Sequence, residues 1–106
     1  MSTETIQEIT IDEKIKREIE FPKKYKVILL NDNNTPIDFV ILLLVDIFKH
    51  SKDTAEKLTL TIHNEGSGIA GIYSYEVAES KQVEAITMSR NHGFPLNIKI
   101  EQEWAT

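Results

Sequence analysis

The feature that most constrains this chain is a run of seven apolar residues from Phe39 to Val45. It follows Thr35-Pro36, a pair typical of helix starts, and so predicts a helix that is apolar almost all round. Such a helix has to be covered on several sides, and the run is far shorter than the roughly 20 residues of a membrane span. Leu, Ile, Val and Phe supply 32 of the 106 residues, above the roughly 20% below which no core forms. One small folded domain is therefore predicted.

Strand-like and helix-like periodicities alternate along the chain. In order, the predicted elements are a strand at 25–30, a helix from Pro36 to about Lys49, a helix from about Asp53 to Gly66, a strand at 69–73, a helix from Ser74 to about Asn91 and a strand at 96–100. Because helix-length connections separate the strands, no hairpin is expected. We expect a two-layer α+β domain of β-α-α-β-α-β order, with a three-stranded antiparallel sheet and helices packed on one face.

The loop before the first helix combines turn residues with a helix-start signal. Residues 31–34 are all Asn or Asp, whose side chains favour turns. Thr35 is expected to cap the helix with its side chain. Pro36 is expected in the first helical position, where a missing N–H has no cost.

Residues 1–22 are predicted to form a flexible N-terminal extension ahead of a folded domain at 23–106. The segment mixes acidic and basic residues, and its apolar stripe is one residue wide, formed by Ile11, Ile15 and Ile19. We expect an arm that becomes ordered on a partner. A helix packed on its own domain is the alternative.

Composition argues against several classes of function. A net charge of −5 disfavours a nucleic-acid surface, which needs clustered cations. There is no cysteine, and His50, His63 and His92 lie on separate elements, so neither a disulfide nor a metal site is expected. The polar N-terminus shows no signal peptide, which predicts a cytoplasmic protein without a membrane partner. Phosphate-loop, dinucleotide and hydrolase motifs are missing, and no cofactor is expected.

Two residue strings at a fixed spacing resemble one protein family. They are YKVILLNDNNTPIDFV at 25–40 and EVAESK at 76–81, with His63, Gly66, Gly71 and Tyr73 between the two and Pro95-Leu96 after them. The pattern resembles ClpS, a family of adaptors that serve the Clp AAA+ proteases, over about 24–101. The resemblance implies the fold expected above and a non-catalytic function. Such an adaptor binds proteins that begin with a free large hydrophobic residue (an N-degron) and delivers them to a ClpA- or ClpC-type unfoldase.

The resemblance also implies a binding site with two halves. One half binds the α-amino group, which has a reference pKa of about 7.7–8.0. The resemblance implies that this half is formed by residues with oxygen and nitrogen acceptors: Asn31, Asp32, Asn33 and His63. The other half is an apolar pocket, implied for Thr35, Ile37, Val40, Thr59, Ile62 and Leu96. From the residues alone, an ordinary turn and ordinary core positions remain open alternatives.

Three of these positions depart from the usual pattern of the family. Asn33 replaces the second of two acidic residues, which removes a negative charge near the amine. Ile37 and Thr59 stand where methionine is frequent; Ile37 is stiffer, and Thr59 is shorter and adds a hydroxyl. We therefore expect a pocket that is wider beside Thr59, a changed ranking among Leu, Phe, Tyr and Trp, and admission of β-branched first residues.

A second functional surface is implied for Glu76, Glu79 and Lys81 on the last predicted helix. By resemblance, it docks the N-terminal domain of the unfoldase, and the extension at 1–22 engages the unfoldase during hand-over. From the residues alone, a solvated helix face with an acidic first turn is the alternative.

Two other functions remain open from the sequence. One is a relative that binds the unfoldase with altered or lost N-degron specificity, a hypothesis motivated by Asn33 and Thr59. The other is a small hydrolase that uses His63 with Asp32, although no motif places a nucleophile beside them.

Overall fold

The computed structural model describes residues 23–103. The extension predicted at 1–22 and the end of the chain from Trp104 onward lie outside the described residues. The described part has the predicted order of elements. They are β1 (Lys24–Leu30), α1 (Ile37–Asp46), α2 (Lys52–Glu65), β2 (Ser67–Tyr73), α3 (Tyr75–Asn91) and β3 (Asn97–Glu103).

The central strand β1 pairs antiparallel with both neighbours, in the order β2-β1-β3. Val27 and Leu29 are fully buried, and Leu29 pairs with buried Ile98 on the same face of the sheet. This face joins the buried residues of the three helices in one core. The opposite face leaves Ile69 and Ile72 exposed. The predicted α+β fold, with an antiparallel sheet and helices on one face, is confirmed.

A β-bulge interrupts the pairing of β1 with β2. The register shifts between Val27 and Ile28 and leaves Ala70 of β2 without an opposite residue. The carbonyl of Ala70 forms a hydrogen bond with the Nε2 atom of His50. His50 therefore connects the loop after α1 to the bulge.

The helix α1 begins one residue later than predicted. Pro36 is the N-cap residue, with φ −64° and ψ 145°, and its carbonyl accepts from the N–H groups of Phe39 and Val40. The prediction that Thr35 caps this helix is wrong, because its hydroxyl donates to the carboxylate of Asp32. Pro36 occupies the cap position, no side chain caps the helix, and the hydrogen bond to Asp32 directs the Thr35 side chain toward the turn.

The helix α1 also ends three residues before its predicted end. Lys49 adopts a left-handed conformation with φ 60°, and the N–H of His50 donates to the carbonyl of Leu44, a closure typical of helix C-termini. Lys81 of α3 donates to the carbonyl of Ile47 at 2.7 Å. The prediction of a helix to about Lys49 is wrong because a left-handed residue does not continue a right-handed helix.

The strand β3 extends beyond the predicted range of 96–100. It starts after Leu96 and pairs along the whole of β1, from Leu30↔Asn97 to Lys24↔Glu103. Its added residues are polar, which suits a strand with one solvated face. The length of β3 therefore follows from its partner strand more than from its own hydrophobic pattern.

Candidate functional site

A cavity of about 290 Å³ lies beside the C-terminal end of β1. Residues of the loop 31–36, the start of α1, the end of α2 and the residue before β3 enclose it. It is lined by all ten residues predicted for the two halves of the site: Asn31, Asp32, Asn33, Thr35, Ile37, Val40, Thr59, Ile62, His63 and Leu96. Leu30 and Pro36 complete the lining. The fold therefore brings both predicted halves to one place.

Polar residues form the mouth of the cavity. Asn31, Asn33 and His63 are exposed, and Asp32 is half-buried. Within residues 23–103, neither the Asn31 amide nor the His63 ring forms a side-chain hydrogen bond with another residue. Their acceptor atoms are therefore available to a ligand that carries N–H donors.

The carboxylate of Asp32 is held in place by Thr35. The hydroxyl of Thr35 donates to Asp32 Oδ2 at 2.5 Å, and the N–H of Thr35 donates to the Asp32 carbonyl at 3.2 Å. Thr35 is only 9% exposed, so its surroundings fix the hydroxyl. A carboxylate accepts several hydrogen bonds, which leaves Asp32 with acceptor capacity for a cation at the mouth.

Gly66 links the two sides of the mouth. It ends α2 with φ 92°, and its N–H donates to the carbonyl of Ile62 at 2.9 Å. Its own carbonyl accepts from the N–H of Asn31 at 2.9 Å. The helix that carries His63 is thereby tied to the end of the strand that leads into Asn31. Glycine adopts this positive φ without the steric cost that other residues meet.

The apolar residues lie deeper than the polar ones. Val40, Ile62 and Leu96 have exposed fractions of 6%, 3% and 1%. Arg90 of α3 holds the segment before β3 by donating to the carbonyl of Leu96 at 2.9 Å. Ile37 is 45% exposed and lies at the edge of the cavity. The cavity therefore has a polar mouth and an apolar floor.

Thr59 contributes no unsatisfied polar group to this floor. It is 3% exposed, and its hydroxyl donates to the carbonyl of Ala55 at 2.7 Å, one turn earlier in α2. The hydroxyl of Thr35 is likewise engaged, with Asp32. Both hydroxyl groups that line the cavity therefore donate to acceptors of the protein itself.

The second predicted surface lies in the first half of α3. Glu76 and Glu79 are exposed there, whereas Lys81 is half-buried and donates to the carbonyl of Ile47. Lys81 therefore fastens α3 to the end of α1, a structural role that its position in the sequence string did not reveal.

Tyr75 contacts Glu79 of this predicted surface and was not itself predicted. Its hydroxyl donates to Glu79 Oε2 at 3.0 Å, and its ring packs edge-on against Tyr25 of β1 with centroids 5.0 Å apart. The hydrogen bond with Glu79 raises the pKa of the Tyr75 phenol. The spacing of four residues between Tyr75 and Glu79 is a local signal, but the contact with Tyr25 arises only when β1 is placed beside the start of α3.

Residues 23–103 contain neither a membrane-spanning helix nor a cluster of metal-ligating side chains. No helix in this range has the length and apolar character needed to cross a membrane. No three or more His, Asp or Glu side chains of the range are grouped closely enough to hold a metal ion. The ring of His92, like that of His50, contacts a backbone carbonyl, that of Met88.

Known proteins similar to this chain point to one family. Residues 20–99 match the family model described as ATP-dependent Clp protease adaptor protein ClpS. The ClpS adapter protein of Helicobacter hepaticus is 44% identical over 84 residues, covering 79% of this chain and 85% of that protein. That of Campylobacter jejuni subsp. doylei is 43% identical over 103 residues, covering 97% of this chain and 99% of that protein.

A solved structure has the same fold. Agrobacterium tumefaciens ClpS2 bound to L-phenylalaninamide aligns with a TM-score of 0.75 and 40% identity, covering 77% of this chain and 99% of its own. The family is one of protease adaptors and not of enzymes, so the hydrolase hypothesis based on His63 and Asp32 is wrong. The ClpS family model matches residues 20–99, most of this chain, and the chain shares its fold with the solved ClpS2 structure. This chain therefore belongs to the ClpS family of Clp protease adaptors.

Proposed function

We propose that this protein is a non-catalytic adaptor that binds proteins with a free N-terminal large hydrophobic residue and delivers them to a ClpA- or ClpC-type unfoldase. The observation that carries the proposal is the single cavity in which a polar mouth adjoins an apolar floor. A first residue of this kind presents a cationic amine and an apolar side chain on one Cα atom. The two halves of the cavity match these two groups.

The mouth suits an α-amino group because it gathers acceptors around a negative charge. The N–H of Asn31 donates to the carbonyl of Gly66, which ends the helix that carries His63. Thr35 holds the carboxylate of Asp32. An ammonium group offers three N–H donors, and its hydrogen bonds to a carboxylate are about twice as strong as neutral ones. Acetylation of the amine would remove its charge and most of its donors.

The floor suits the side chain of the first residue because it is apolar. Val40, Ile62 and Leu96 are almost fully buried around the cavity. Transfer of a Leu or Phe side chain from water to such a place contributes about 1.5–3 kcal/mol. The altered ranking of first residues expected from Ile37 and Thr59 remains part of this proposal.

A relative supports the chemistry of the ligand. The A. tumefaciens protein is bound to L-phenylalaninamide, a small molecule with a free α-amine and an aromatic side chain. At 40% identity and a shared fold, the same compound is a suitable probe for this cavity.

The proposed unfoldase surface is separate from the cavity. The carboxylates of Glu76 and Glu79 are exposed in the first half of α3, which suits a basic patch on the N-terminal domain of an unfoldase. Lys81 remains the third predicted residue of this surface. In this proposal the extension at 1–22 engages the unfoldase during hand-over, and the adaptor acts in the cytoplasm.

A second candidate is a ClpS paralogue with altered or lost N-degron specificity. Asn33 favours it, because Asp32 is then the single carboxylate among the described residues that line the cavity. The solved relative is itself a ClpS2 protein. The two candidates differ in whether a free hydrophobic N-terminus is bound.

Calorimetric titration with two Leu-initiated peptides, one with a free amine and one N-acetylated, tests the proposal. We expect acetylation to weaken binding at least tenfold, since hydrogen bonds of charged groups contribute about 1.5–3 kcal/mol. Equal affinities for the two peptides contradict the proposed function. Absence of binding to both, with unfoldase binding retained, favours the paralogue.

The substitution His63→Ala locates the amine half. We expect this substitution to weaken binding of the free-amine peptide about tenfold, because one acceptor for a charged donor is lost. The melting temperature should stay unchanged because His63 is exposed. His92→Ala is the control, since His92 does not line the cavity. Unchanged affinity in His63→Ala would contradict the assignment of this ring to the amine.

A further inference from the structure

We propose that Gly68 sets the width of the first-residue cavity by giving room to Ile62, an inference that rests on the proposed function. Gly68 lies in β2 and is not part of the cavity lining, whereas Ile62 of α2 is. Gly68 is thus a positioning residue that acts on the ligand through the side chain of Ile62.

The space beside Gly68 belongs to Ile62. A methyl carbon on Gly68 would lie 2.7 Å from Cγ1 of Ile62, 3.5 Å from Cδ1 and 3.9 Å from Cβ, and no other residue would be as near. Carbon atoms in favourable contact are about 3.5–4.0 Å apart. The clash falls on Cγ1, near the base of the side chain, so rotation of the terminal methyl alone does not relieve it.

The cavity is the space into which a displaced Ile62 moves. Its backbone is held in α2, where its carbonyl accepts from Gly66 at 2.9 Å, and the residue is 3% exposed. The strand on the other side is also fixed, because Gly68 pairs with Leu29 of the central strand. Protein interiors are close-packed, so the neighbouring free volume is the cavity of about 290 Å³. Any side chain at position 68 therefore narrows the cavity.

This narrowing discriminates between first residues by the size of their side chains. The aromatic side chain of Phe is longer and larger in volume than the branched side chain of Leu, so it needs more space at the floor. The pair of Gly68 and Ile62 therefore keeps the cavity open to aromatic first residues, and a larger residue at 68 shifts the preference toward Leu.

Titration of the full chain with L-phenylalaninamide and L-leucinamide tests this inference. We expect Gly68→Ala to lower the ratio of Phe to Leu affinity about tenfold, the lower end of what one methylene achieves in an apolar pocket. Gly71→Ala is the matched control: it lies in the same strand and outside the lining, and its methyl would meet the Tyr73 ring instead. In Gly71→Ala the ratio should stay as in the unmodified chain.

A second pair of variants tests the route through Ile62. Ile62→Ala removes Cγ1, so a methyl at position 68 no longer has that atom to displace, and Gly68→Ala should leave the ratio unchanged in this background. In the free Gly68→Ala protein, the NMR resonance of the Ile62 δ1 methyl should shift.

The outcomes separate this inference from the proposed function. If Gly68→Ala weakens both amides equally, or changes the ratio by the same factor with and without Ile62→Ala, the inference is wrong and the proposed function stands. If the unmodified chain binds neither amide, the proposed function fails and the inference fails with it.

Discussion

At the scale of single residues, the hydroxyl of Thr35 orients the negatively charged carboxylate of Asp32 at the mouth of the cavity. Thr35 and Thr59 both donate inward, but Thr59 bonds a backbone carbonyl of its own helix, whereas Thr35 bonds a carboxylate at the mouth. Thr35 therefore orients a group that the ligand would meet, although its own hydroxyl is buried. The side chain of Thr35 is directed to Asp32 and does not cap α1.

Replacement of Thr35 by Val should weaken amine binding without closing the cavity. The two side chains have nearly the same shape, but Val cannot donate to Asp32. We expect the binding free energy of L-phenylalaninamide to weaken by about 1.5 kcal/mol, the lower end of the range for hydrogen bonds to charged groups, and Thr35→Ser to retain most of the affinity. Calorimetric titration measures both variants. Equal losses in the Val and Ser variants would point to packing and would refute the orienting role.

Lys49 carries local strain that a substitution can remove. Its φ of 60° lies in the left-handed region, which is unfavourable for a residue with a Cβ atom. Lys49→Gly should therefore raise the free energy of unfolding by about 0.5–1 kcal/mol, as measured by urea denaturation. Lys57→Gly, at an exposed position inside α2, is the control and should lower it by about 1 kcal/mol. A loss of stability in Lys49→Gly would contradict the assigned strain.

At the scale of elements, the site depends on the way α2 ends against β1. Gly66 combines a positive φ with the hydrogen bond from Asn31, so it affects both stability and the geometry of the mouth. Gly93 makes it possible to separate the effect on stability from the effect on the mouth. It also has a positive φ, of 77°, but lies outside the cavity lining.

Gly66→Ala and Gly93→Ala should have similar effects on stability and different effects on binding. In both, a methyl would meet no atom within 4 Å, so the backbone conformation alone is penalised, by about 1 kcal/mol each. Only Gly66→Ala should weaken binding of L-phenylalaninamide. Thermal unfolding and titration together check this, and equal affinities in the two variants would show that the Gly66 contact does not position the mouth.

Lys81 joins two helices, and its substitution should reveal this in stability. Its ammonium donates to the carbonyl of Ile47 at the end of α1. We expect Lys81→Met to lower the free energy of unfolding by about 0.5–1.5 kcal/mol, the usual contribution of one hydrogen bond, whereas Glu84→Ala, at an exposed position further along α3, should change it little. Chemical denaturation of both variants measures the change in the free energy of unfolding. A Met variant as stable as the unmodified chain would leave Lys81 with no structural role.

The elements could be predicted from the sequence because their signals are local. Alternation marked the first and last strands, and the run from Phe39 to Val45 marked the buried helix. Both ends of α1 were missed because the backbone conformations of Pro36 and Lys49 decide them: Pro36 is extended and caps the helix, and Lys49 is left-handed. The site residues were implied by family resemblance, and the cavity brings them together. The relation of Gly68 to Ile62 had no signal in the sequence, because it links a strand to a helix across the fold.

At the scale of the whole molecule, the cavity and the proposed unfoldase surface lie toward opposite ends of β1. The cavity includes Leu30 at the end of the strand, whereas Tyr25 near its start contacts Tyr75 of α3. At about 3.3 Å per residue, the seven residues of β1 span roughly 20 Å. Sites at this separation without shared residues are expected to act independently.

Glu79→Ala should therefore affect one function only. We expect weaker binding to the N-terminal domain of the unfoldase and unchanged affinity for L-phenylalaninamide, because Glu79 is exposed and lies outside the cavity lining. Glu84→Ala, an exposed carboxylate further along the same helix, is the control and should retain both. Pull-down and titration measure the two interactions. Loss of peptide binding in Glu79→Ala would reject the separation of the two surfaces.

The apolar floor of the cavity is almost fully buried in the free protein, yet under the proposed function a first residue bound there would add to the stability of the fold. A ligand present at 100 times its dissociation constant adds about 2.7 kcal/mol to the free energy of unfolding, a large share for so small a domain. Under the proposed function, copies with a bound substrate would therefore unfold less readily than free copies, and the melting temperature of the protein would rise with the concentration of its ligand.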